Sequence, residues 1–155
     1  MPQLVKGGKY IFGWSKVGNG GKIKIPPEAY TEYNLKLDKK AILLSGSKTS
    51  GGFGLSSMRI LKNSIMKEVL DRNISLANYM IPEGEVIEFK NKMYCWVKIH
   101  KDKTIILPKR TLKTFGITHN NLLLCGRGSH LAIGFIAKGP IFNEAKNHPE
   151  IEIFE

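Results

Sequence analysis

Residues 12–26 read FGWSKVGNGGKIKIP, and residues 94–108 read YCWVKIHKDKTIILP. An offset of 82 (108 − 26 = 82) superposes three pairs of distinctive residues: Trp14 on Trp96, Lys16 on Lys98 and Pro26 on Pro108. The chain has only two tryptophans, and both occupy this one equivalent position. Chance similarity gives scattered apolar matches but not tryptophan, lysine and proline in one order. The sequence therefore contains an internal duplication.

The duplication continues beyond the prolines, where Leu35 falls on Ile117. Removing two residues from the first copy then gives an offset of 80 (126 − 46 = 80), which lays residues 42–46 over residues 122–126. The repeated unit covers about residues 4–55 and 86–135. A length of 155 residues suits one compact domain formed by both repeats. We predict four segments: repeat 1 at 1–57, a helical linker at 58–84, repeat 2 at 85–138 and a C-terminal tail at 139–155.

Each unit has the pattern of four short strands and one short helix. Alternation of side chains over residues 10–17 predicts a strand, and a turn leads from it into a second strand that ends at the proline. We expect these two strands to form a hairpin. The proline fits the opening of a helix, and Asn34 or Gly116 suits the turn that stops it. The third and fourth strands are predicted at four apolar runs: 41–45 and 52–56, and 121–125 and 131–137.

The segments outside the repeats also have recognisable patterns. Apolar residues recur at helical spacing from Met58 to Leu70, behind Ser56 and Ser57, which predicts one connecting helix over about 58–71. The tail alternates at residues 150–153 and is expected to form an exposed or docking strand. The equivalent tryptophans are expected to pack together in a shared interior rather than to stack on nucleic-acid bases.

The order of elements, with a strand ending in Ile-Pro, a short helix and an apolar hairpin, resembles the AbrB/SpoVT family of swapped-hairpin DNA-binding proteins. The residues that carry the resemblance are listed here by copy: Lys16-Val17, Gly21 to Pro26, Glu28, Leu35 and Ile42 to Leu44 in the first, and Lys98-Ile99, Ile105 to Pro108, Phe115 to Ile117 and Leu122 to Leu124 in the second. The resemblance implies a mainly β fold with short helices. It further implies that the two repeats exchange hairpins to close one pseudo-twofold β-barrel within the chain, as a monomeric pseudo-dimer or a higher homo-oligomer.

The resemblance also implies a DNA-binding face. The family's basic residue after the turn glycine matches Lys22 in the first copy and Thr104 in the second, where Lys101 and Lys103 are adjacent. Its basic helical positions match Tyr30 and Thr31 in the first copy, and Leu112 and Lys113 in the second.

Charge agrees with a nucleic-acid partner, since the formal net charge is +11 and the pI is about 9.7. Nine basic residues around the predicted hairpins and the second helix form the predicted phosphate-binding set: Lys16, Lys22, Lys24, Lys98, Lys101, Lys103, Lys109, Arg110 and Lys113. The sequence thus favours a DNA-binding transcriptional regulator. One alternative is an antitoxin-like protein-binding module or a small-ligand-sensing barrel, in which the glycine loops at 46–54 and 126–130 and the acidic tail contact the partner. An RNA-binding protein is a further alternative.

The sequence offers little support for other classes of function. The loop Gly46 to Gly52 lacks the glycine before its lysine that a phosphate loop requires, and it leads into a strand. The four histidines, His100, His119, His130 and His148, lack metal-ligand spacing. We therefore expect no enzymatic activity, metal or cofactor. With no run of ~20 apolar residues and no apolar signal core at the N-terminus, we expect a cytoplasmic protein without membrane association.

Overall fold

The protein is described by a computed structural model covering residues 10–117 and 121–155. The fold is mixed α/β, with ten strands and six short helices among the described residues. In chain order the strands are β1 (Ile11–Lys16), β2 (Lys22–Lys24), β3 (Lys40–Ser45), β4 (Phe53–Ser56), β5 (Ile87–Phe89), β6 (Lys92–Lys98), β7 (Thr104–Ile106), β8 (Leu122–Arg127), β9 (Ile133–Ile136) and β10 (Ile153–Phe154). The helices are α1 (Pro27–Glu32), α2 (Met58–Lys62), α3 (Lys67–Arg72), α4 (Ile74–Ala77), α5 (Lys109–Thr114) and α6 (Pro140–Ala145).

Two sheets organise the part of the chain that the structure describes. Eight strands form one sheet in the order β10-β1-β8-β9-β4-β3-β6-β5, and β2 pairs with β7 in a separate two-stranded ribbon. Strand β1 of the first repeat pairs with β8 of the second, and β6 of the second repeat pairs with β3 of the first. The repeats therefore exchange strands. The eight-stranded sheet itself is open, with β10 and β5 at its edges, and it does not close into a barrel.

A pseudo-twofold axis relates the two repeats. In the ribbon, Ile23 pairs with Ile105, its own equivalent at the offset of 82 (105 − 23 = 82). In the large sheet, Gly54 pairs with Gly134, its own equivalent at the offset of 80 (134 − 54 = 80). A residue can pair with its own equivalent only where the axis passes between them. The axis therefore crosses the centre of the ribbon and the centre of the sheet.

Strand pairing corrects two expectations from the sequence. The predicted hairpin of the first two strands is wrong, because β2 leaves β1 and pairs with β7 of the other repeat. The second correction concerns the two residues that were removed from the first copy to align the repeats, because the structure places this gap elsewhere. Trp14 pairs with Leu124 and Trp96 with Ile42, so the offset of 82 still holds at the third strand (124 − 42 = 82). The gap therefore falls in the loop between the third and fourth strands, where a change of length disturbs no pairing.

Three apolar clusters fill the structure. The central one lies between the ribbon, the short helices α1 and α5 and the inner face of the sheet, and it includes Ile23, Phe53 and Phe135. The rings of Phe53 and Phe135 stack at 4.8 Å between centroids beside the pseudo-twofold axis.

The predicted helix-stopping residues are confirmed, since Asn34 and Gly116 have φ values of 54° and 70°.

The tryptophans are buried as expected, but they do not share an interior. Trp14 lies in a second cluster on the outer face of the sheet, where Phe142 of α6 meets it edge-on at 5.1 Å. Trp96 lies in a third cluster beneath the linker, where its indole N–H donates to the Ile81 carbonyl oxygen at 2.7 Å. Four strands of the sheet separate β1 from β6, which explains why the equivalent rings cannot meet.

The linker and the tail cover equivalent faces with different structures. The predicted single helix over 58–71 is wrong, because the chain forms α2 and α3 with a break at residues 63–66. At this break the Ser64 hydroxyl donates to the Leu61 carbonyl oxygen and accepts from the Met66 N–H, which replaces helical bonding. The tail docks as one alternative predicted: Ile153 and Phe154 pair in parallel with β1. The helix α6 before it was not predicted.

Candidate nucleic-acid interface

The β2–β7 ribbon presents two of the predicted lysines on its outer face. Ile23 and Ile25 are fully buried, and Lys22 and Lys24 alternate with them on the solvent side, as the period of a strand requires. The hydroxyl of Ser15 in β1 donates to the Lys24 carbonyl oxygen at 2.7 Å and fixes β2 beside the large sheet. The two lysines therefore project from a firmly held strand that lies on the pseudo-twofold axis.

Asp102 lies in the turn before β7, beyond the end of the ribbon where Lys24 pairs with Thr104. Its carboxylate lies 3.3 Å from the Lys22 ammonium group and accepts from the Thr104 hydroxyl at 2.5 Å, and its carbonyl oxygen accepts from the Lys24 ammonium group. The hydrogen bond from Thr104, followed by that from Lys22, lowers the pKa of Asp102. Asp102 is therefore ionised near neutral pH and draws the two lysines of the other repeat toward itself.

Lys101 and Lys103 flank Asp102 in the turn between β6 and β7. Lys101 is exposed, and Lys103 has a left-handed φ of 64° that closes the turn through an N–H bond to the His100 carbonyl oxygen at 2.9 Å. The Lys103 ammonium group lies 5.2 Å from the centroid of the Tyr30 ring in α1. The structure thus brings Lys22, Lys24, Lys101 and Lys103 into one neighbourhood centred on Asp102.

Helix α5 carries the other basic cluster. Lys109, Arg110 and Lys113 are exposed, whereas Thr111 and Leu112 are buried. Lys109 and Lys113 project away from Thr111, since two residues turn a helix by roughly 200°. The Thr111 hydroxyl donates to the Gly84 carbonyl oxygen at 2.5 Å and anchors the inner side of α5. The three basic side chains therefore share the solvent face of a short, well-anchored helix.

Lys16 and Lys98 occupy equivalent positions at the ends of β1 and β6. The Lys16 ammonium group lies 3.9 Å from the Glu155 carboxylate, and the Lys98 backbone N–H donates to the Glu83 carboxylate at 2.8 Å. Within residues 10–117 and 121–155, no ion pair links either lysine to the cluster at Asp102. The predicted set of nine residues is therefore divided into a ribbon group, a helix group and two strand-end lysines.

Helix α1, the equivalent of α5, carries the opposite charge. Glu28 is exposed, and Glu32 accepts two hydrogen bonds from the Arg127 guanidinium at 2.5 and 2.6 Å. Arg127 also stacks over the Tyr10 ring, 4.6 Å from its centroid. This bidentate pair ties α1 of the first repeat to β8 of the second.

A cleft of about 380 Å³ opens beside this pair. It is lined by Glu32, Tyr33, Asn34, Arg59, Ile60, Arg127, Ser129 and His130. The Tyr33 hydroxyl donates to the Ser129 carbonyl oxygen at 2.6 Å, and burial raises the pKa of this phenol to about 12. Arg59 bridges the Asp38 carboxylate, at 2.8 Å, and the Tyr33 carbonyl oxygen, at 3.0 Å. Of the two predicted ligand loops, the one at 126–130 lines this cleft.

Sequence reasoning did not single out Asp102, Arg59 or the pair of Glu32 with Arg127. Asp102 meets Lys22 across 80 positions of the chain, and Glu32 meets Arg127 across 95, so no local spacing marks either contact. One signal could have indicated these contacts. The family resemblance implied an exchange of strands, and such an exchange brings the turn of one repeat against the strand of the other.

The nucleophilic and metal-binding residue types give no further cluster in the described ranges. Cys95 and Cys125 are buried free thiols, and burial raises the pKa of Cys95 to about 12. No group of three His, Cys, Asp or Glu side chains within 10–117 and 121–155 is placed to hold a metal ion. His119 lies outside the described residues. None of the described helices has the length and apolar composition needed to cross a membrane.

Comparison with known proteins adds no assignment. No protein-family model matches the chain, and no curated protein matches its sequence. Function must therefore be inferred from the geometry and charge of this chain itself.

Proposed function

We propose that the protein is a DNA-binding transcriptional regulator of the AbrB type. It contacts the phosphates of duplex DNA through the lysines of the β2–β7 ribbon and through α5. The observation that carries the proposal is the ribbon on the pseudo-twofold axis, whose inner face is buried isoleucine and whose outer face presents Lys22 and Lys24. The ribbon backbone is pseudo-twofold, while its charge comes from β2, since Thr104 and Ile106 stand at the positions equivalent to Lys22 and Lys24. This excess positive charge is complementary to the phosphates of duplex DNA.

The family resemblance from the sequence is consistent with this proposal. We infer that the six strands β1, β8, β9, β4, β3 and β6, together with the ribbon, correspond to a swapped-hairpin barrel of that family. Support comes from the exchange of β1 and β6 between repeats and from the self-pairing of Ile23 with Ile105. On this view β5 and β10, with the helices of the linker and tail, are additions at the two edges of the sheet.

A binding titration tests the proposal directly. Fluorescence anisotropy with a labelled duplex of about 30 bp, at ~50 mM salt, should detect binding that weakens linearly in log–log form as salt rises, with a slope of about −0.9 per phosphate contacted. Contacts by four to six of the basic residues would give a slope of roughly −4 to −5. Absence of binding to any duplex at ~50 mM salt would refute the proposal, and stronger binding to single-stranded or duplex RNA would replace it with an RNA-binding function.

The cleft beside Arg127 favours a second candidate, the sensing of a small ligand. Its volume of about 380 Å³ is within the range of small-molecule sites, and two arginines with a buried tyrosine line it. An NMR fragment screen would test this candidate, because a genuine ligand should shift the amide signals of Ser129 and His130 together. A screen in which no fragment moves these signals would count against it.

A further inference from the structure

The exchange of strands places each short helix beside the turn of the other repeat. The N–H of Leu107, just before α5, donates to the Gly21 carbonyl oxygen at 3.0 Å, so α5 adjoins the turn at residues 18–21. The N–H of Ile25, just before α1, donates to the Lys103 carbonyl oxygen at 2.8 Å, so α1 adjoins the turn at residues 100–103. The interface therefore has two flanks on either side of the ribbon, each built from both repeats.

The two flanks differ in charge. We call the flank of α5 with residues 18–21 the basic flank, because it carries Lys109, Arg110 and Lys113 and has no acidic side chain of its own. The flank of α1 with residues 100–103 is the mixed flank, where Lys101 and Lys103 are accompanied by three acidic residues: Glu28, Glu32 and Asp102. The ammonium groups of Lys22 and Lys24 reach this flank from β2 and are held there by Asp102. One of these acids, Glu32, is neutralised by Arg127.

Carboxylates near the basic flank do not remove this difference. Glu83 and Glu85 lie on either side of Gly84, whose carbonyl oxygen is bound by Thr111 on the inner side of α5. The Glu83 carboxylate is turned toward the backbone N–H of Lys98. Lys109 and Lys113 project from the opposite side of α5, so their charges face solvent.

The surface of the turns differs in the same sense. A Cβ atom added at Gly20, which has a φ of 74°, would meet nothing within 4 Å, so this turn presents bare backbone to solvent beside the three cations. Its equivalent in the mixed flank is Asp102 (102 − 20 = 82), which places a carboxylate at the same position. A phosphate group that approaches the basic flank meets cations and open backbone, whereas at the mixed flank it meets lysines that surround a carboxylate.

We infer that duplex DNA docks asymmetrically about the pseudo-twofold axis, with the basic flank making most of the phosphate contacts. We call this asymmetry the polarity of docking. This inference rests on the proposed function and specifies its substrate class as an asymmetric, non-palindromic duplex site contacted mainly on one side of the axis. Each phosphate neutralised changes the salt slope by about 0.9, and near 0.1 M salt its loss weakens binding by roughly eightfold. Loss of three contacts therefore lowers the affinity by more than 100-fold.

Three sets of substitutions test the polarity. The basic-flank variant is Lys109→Gln/Arg110→Gln/Lys113→Gln, and the mixed-flank variant is Lys101→Gln/Lys103→Gln. The matched control is Lys62→Gln/Lys67→Gln/Arg72→Gln, which removes the same charge from exposed positions of the linker helices. All the substituted side chains are polar and none lies in an apolar cluster, so circular dichroism and tryptophan emission should match those of the wild type.

The expected results separate the inference from the proposed function. The basic-flank variant should lose more than 100-fold in affinity at about 0.1 M salt and two to three units of salt slope. The mixed-flank variant should lose less than one unit, and the control should bind within about threefold of the wild type. Equal losses per substituted residue in the two flank variants, with a wild type that binds, would overturn the polarity alone. A wild type that binds no duplex would overturn both. A hydroxyl-radical footprint on a selected site should show one strongly protected block, and two equal blocks about one helical turn apart would also overturn the polarity.

Discussion

Asp102→Asn is expected to strengthen DNA binding. The wild-type carboxylate lies 3.3 Å from the Lys22 ammonium group, and the backbone oxygen of the same residue holds Lys24. Removing the charge frees Lys22 for a phosphate and removes a repulsive group from one end of the ribbon. One additional phosphate contact corresponds to a change of about −0.9 in the salt slope and a gain of roughly eightfold in affinity near 0.1 M salt.

The same substitution should leave the fold intact. The Lys22 and Asp102 side chains are each 53% exposed, and ion pairs of this kind contribute little to stability. Asparagine keeps an oxygen that can accept the hydrogen bond from the Thr104 hydroxyl. The urea midpoint of Asp102→Asn should therefore match that of the wild type.

Asp71→Asn is the matched control, because it changes the net charge equally but lies exposed on α3 in the linker. Anisotropy titrations at several salt concentrations should give Asp71→Asn the affinity and slope of the wild type. The reasoning would be refuted if the two variants bound equally well, since the effect would then arise from net charge and not from the position of Asp102. It would also be refuted if Asp102→Asn bound more weakly than the wild type.

Three further predictions concern the scaffold and its titratable groups. Phe142→Ala should lower the free energy of unfolding by about 3 kcal/mol, measured by urea titration. In a variant where Trp14 is the sole tryptophan, the same substitution should also red-shift its emission. Unchanged emission would contradict the packing of α6 on this ring. Hydrogen bonds to Glu150, and then to Glu144, raise the pKa of His148 above 6.5, so their stabilising effect is complete below pH 6.5 and is lost as the pH rises through the raised value. The urea midpoint should fall over that range in the wild type and stay flat in His148→Gln. Burial of Cys95 and Cys125 should restrict their reaction with a thiol reagent to the unfolded state, and fast labelling without urea would contradict it.

The sequence predicted the repeated unit well because each of its strands and helices carries a local signal. Alternation, the Ile-Pro boundary and the residues Asn34 and Gly116 each depend on neighbours a few positions away. The pairing of β2 was mispredicted because strand alternation identifies a strand but not its partner. The position of the two-residue gap between the repeats was also mispredicted, because apolar runs such as 41–45 align acceptably at an offset of either 80 or 82.

The outer faces of the sheet could not be predicted for a different reason. In β1 the register shifts between Ile11 and Gly13, where Gly13 has a φ of 151°, and Phe12 consequently turns inward while Trp14 faces outward. Simple alternation places both on one face. Helix α6 had an unused signal, since Pro140 follows Gly139 at its start. The break near Ser64 had none, because the serine bonds that produce it are also compatible with a helix.

The candidate site was predicted in its parts but not in its arrangement. All nine basic residues lie in described elements or turns, yet their grouping depends on the exchange of strands, which sets α5 beside a glycine turn and α1 beside a lysine turn. Had each helix stayed beside the turn of its own repeat, α5 would adjoin Lys101 and Lys103, and these two lysines would lie on the same side as Lys109, Arg110 and Lys113. The exchange instead places the basic residues of α5 and the turn lysines Lys101 and Lys103 on opposite sides of the pseudo-twofold axis.

Duplication within one chain is what permits this polarity. In a dimer of identical chains every residue appears on both sides of the axis, so an acidic helix on one flank requires an acidic helix on the other. Here Glu28 is equivalent to Arg110 (110 − 28 = 82), and the two positions carry opposite charges. The outer faces have diverged in the same way, since α6 covers Trp14 while the linker covers Trp96. A single chain with two unequal halves can thus keep the pseudo-twofold ribbon while the charges around it differ, which would define a direction along the duplex that we propose it binds.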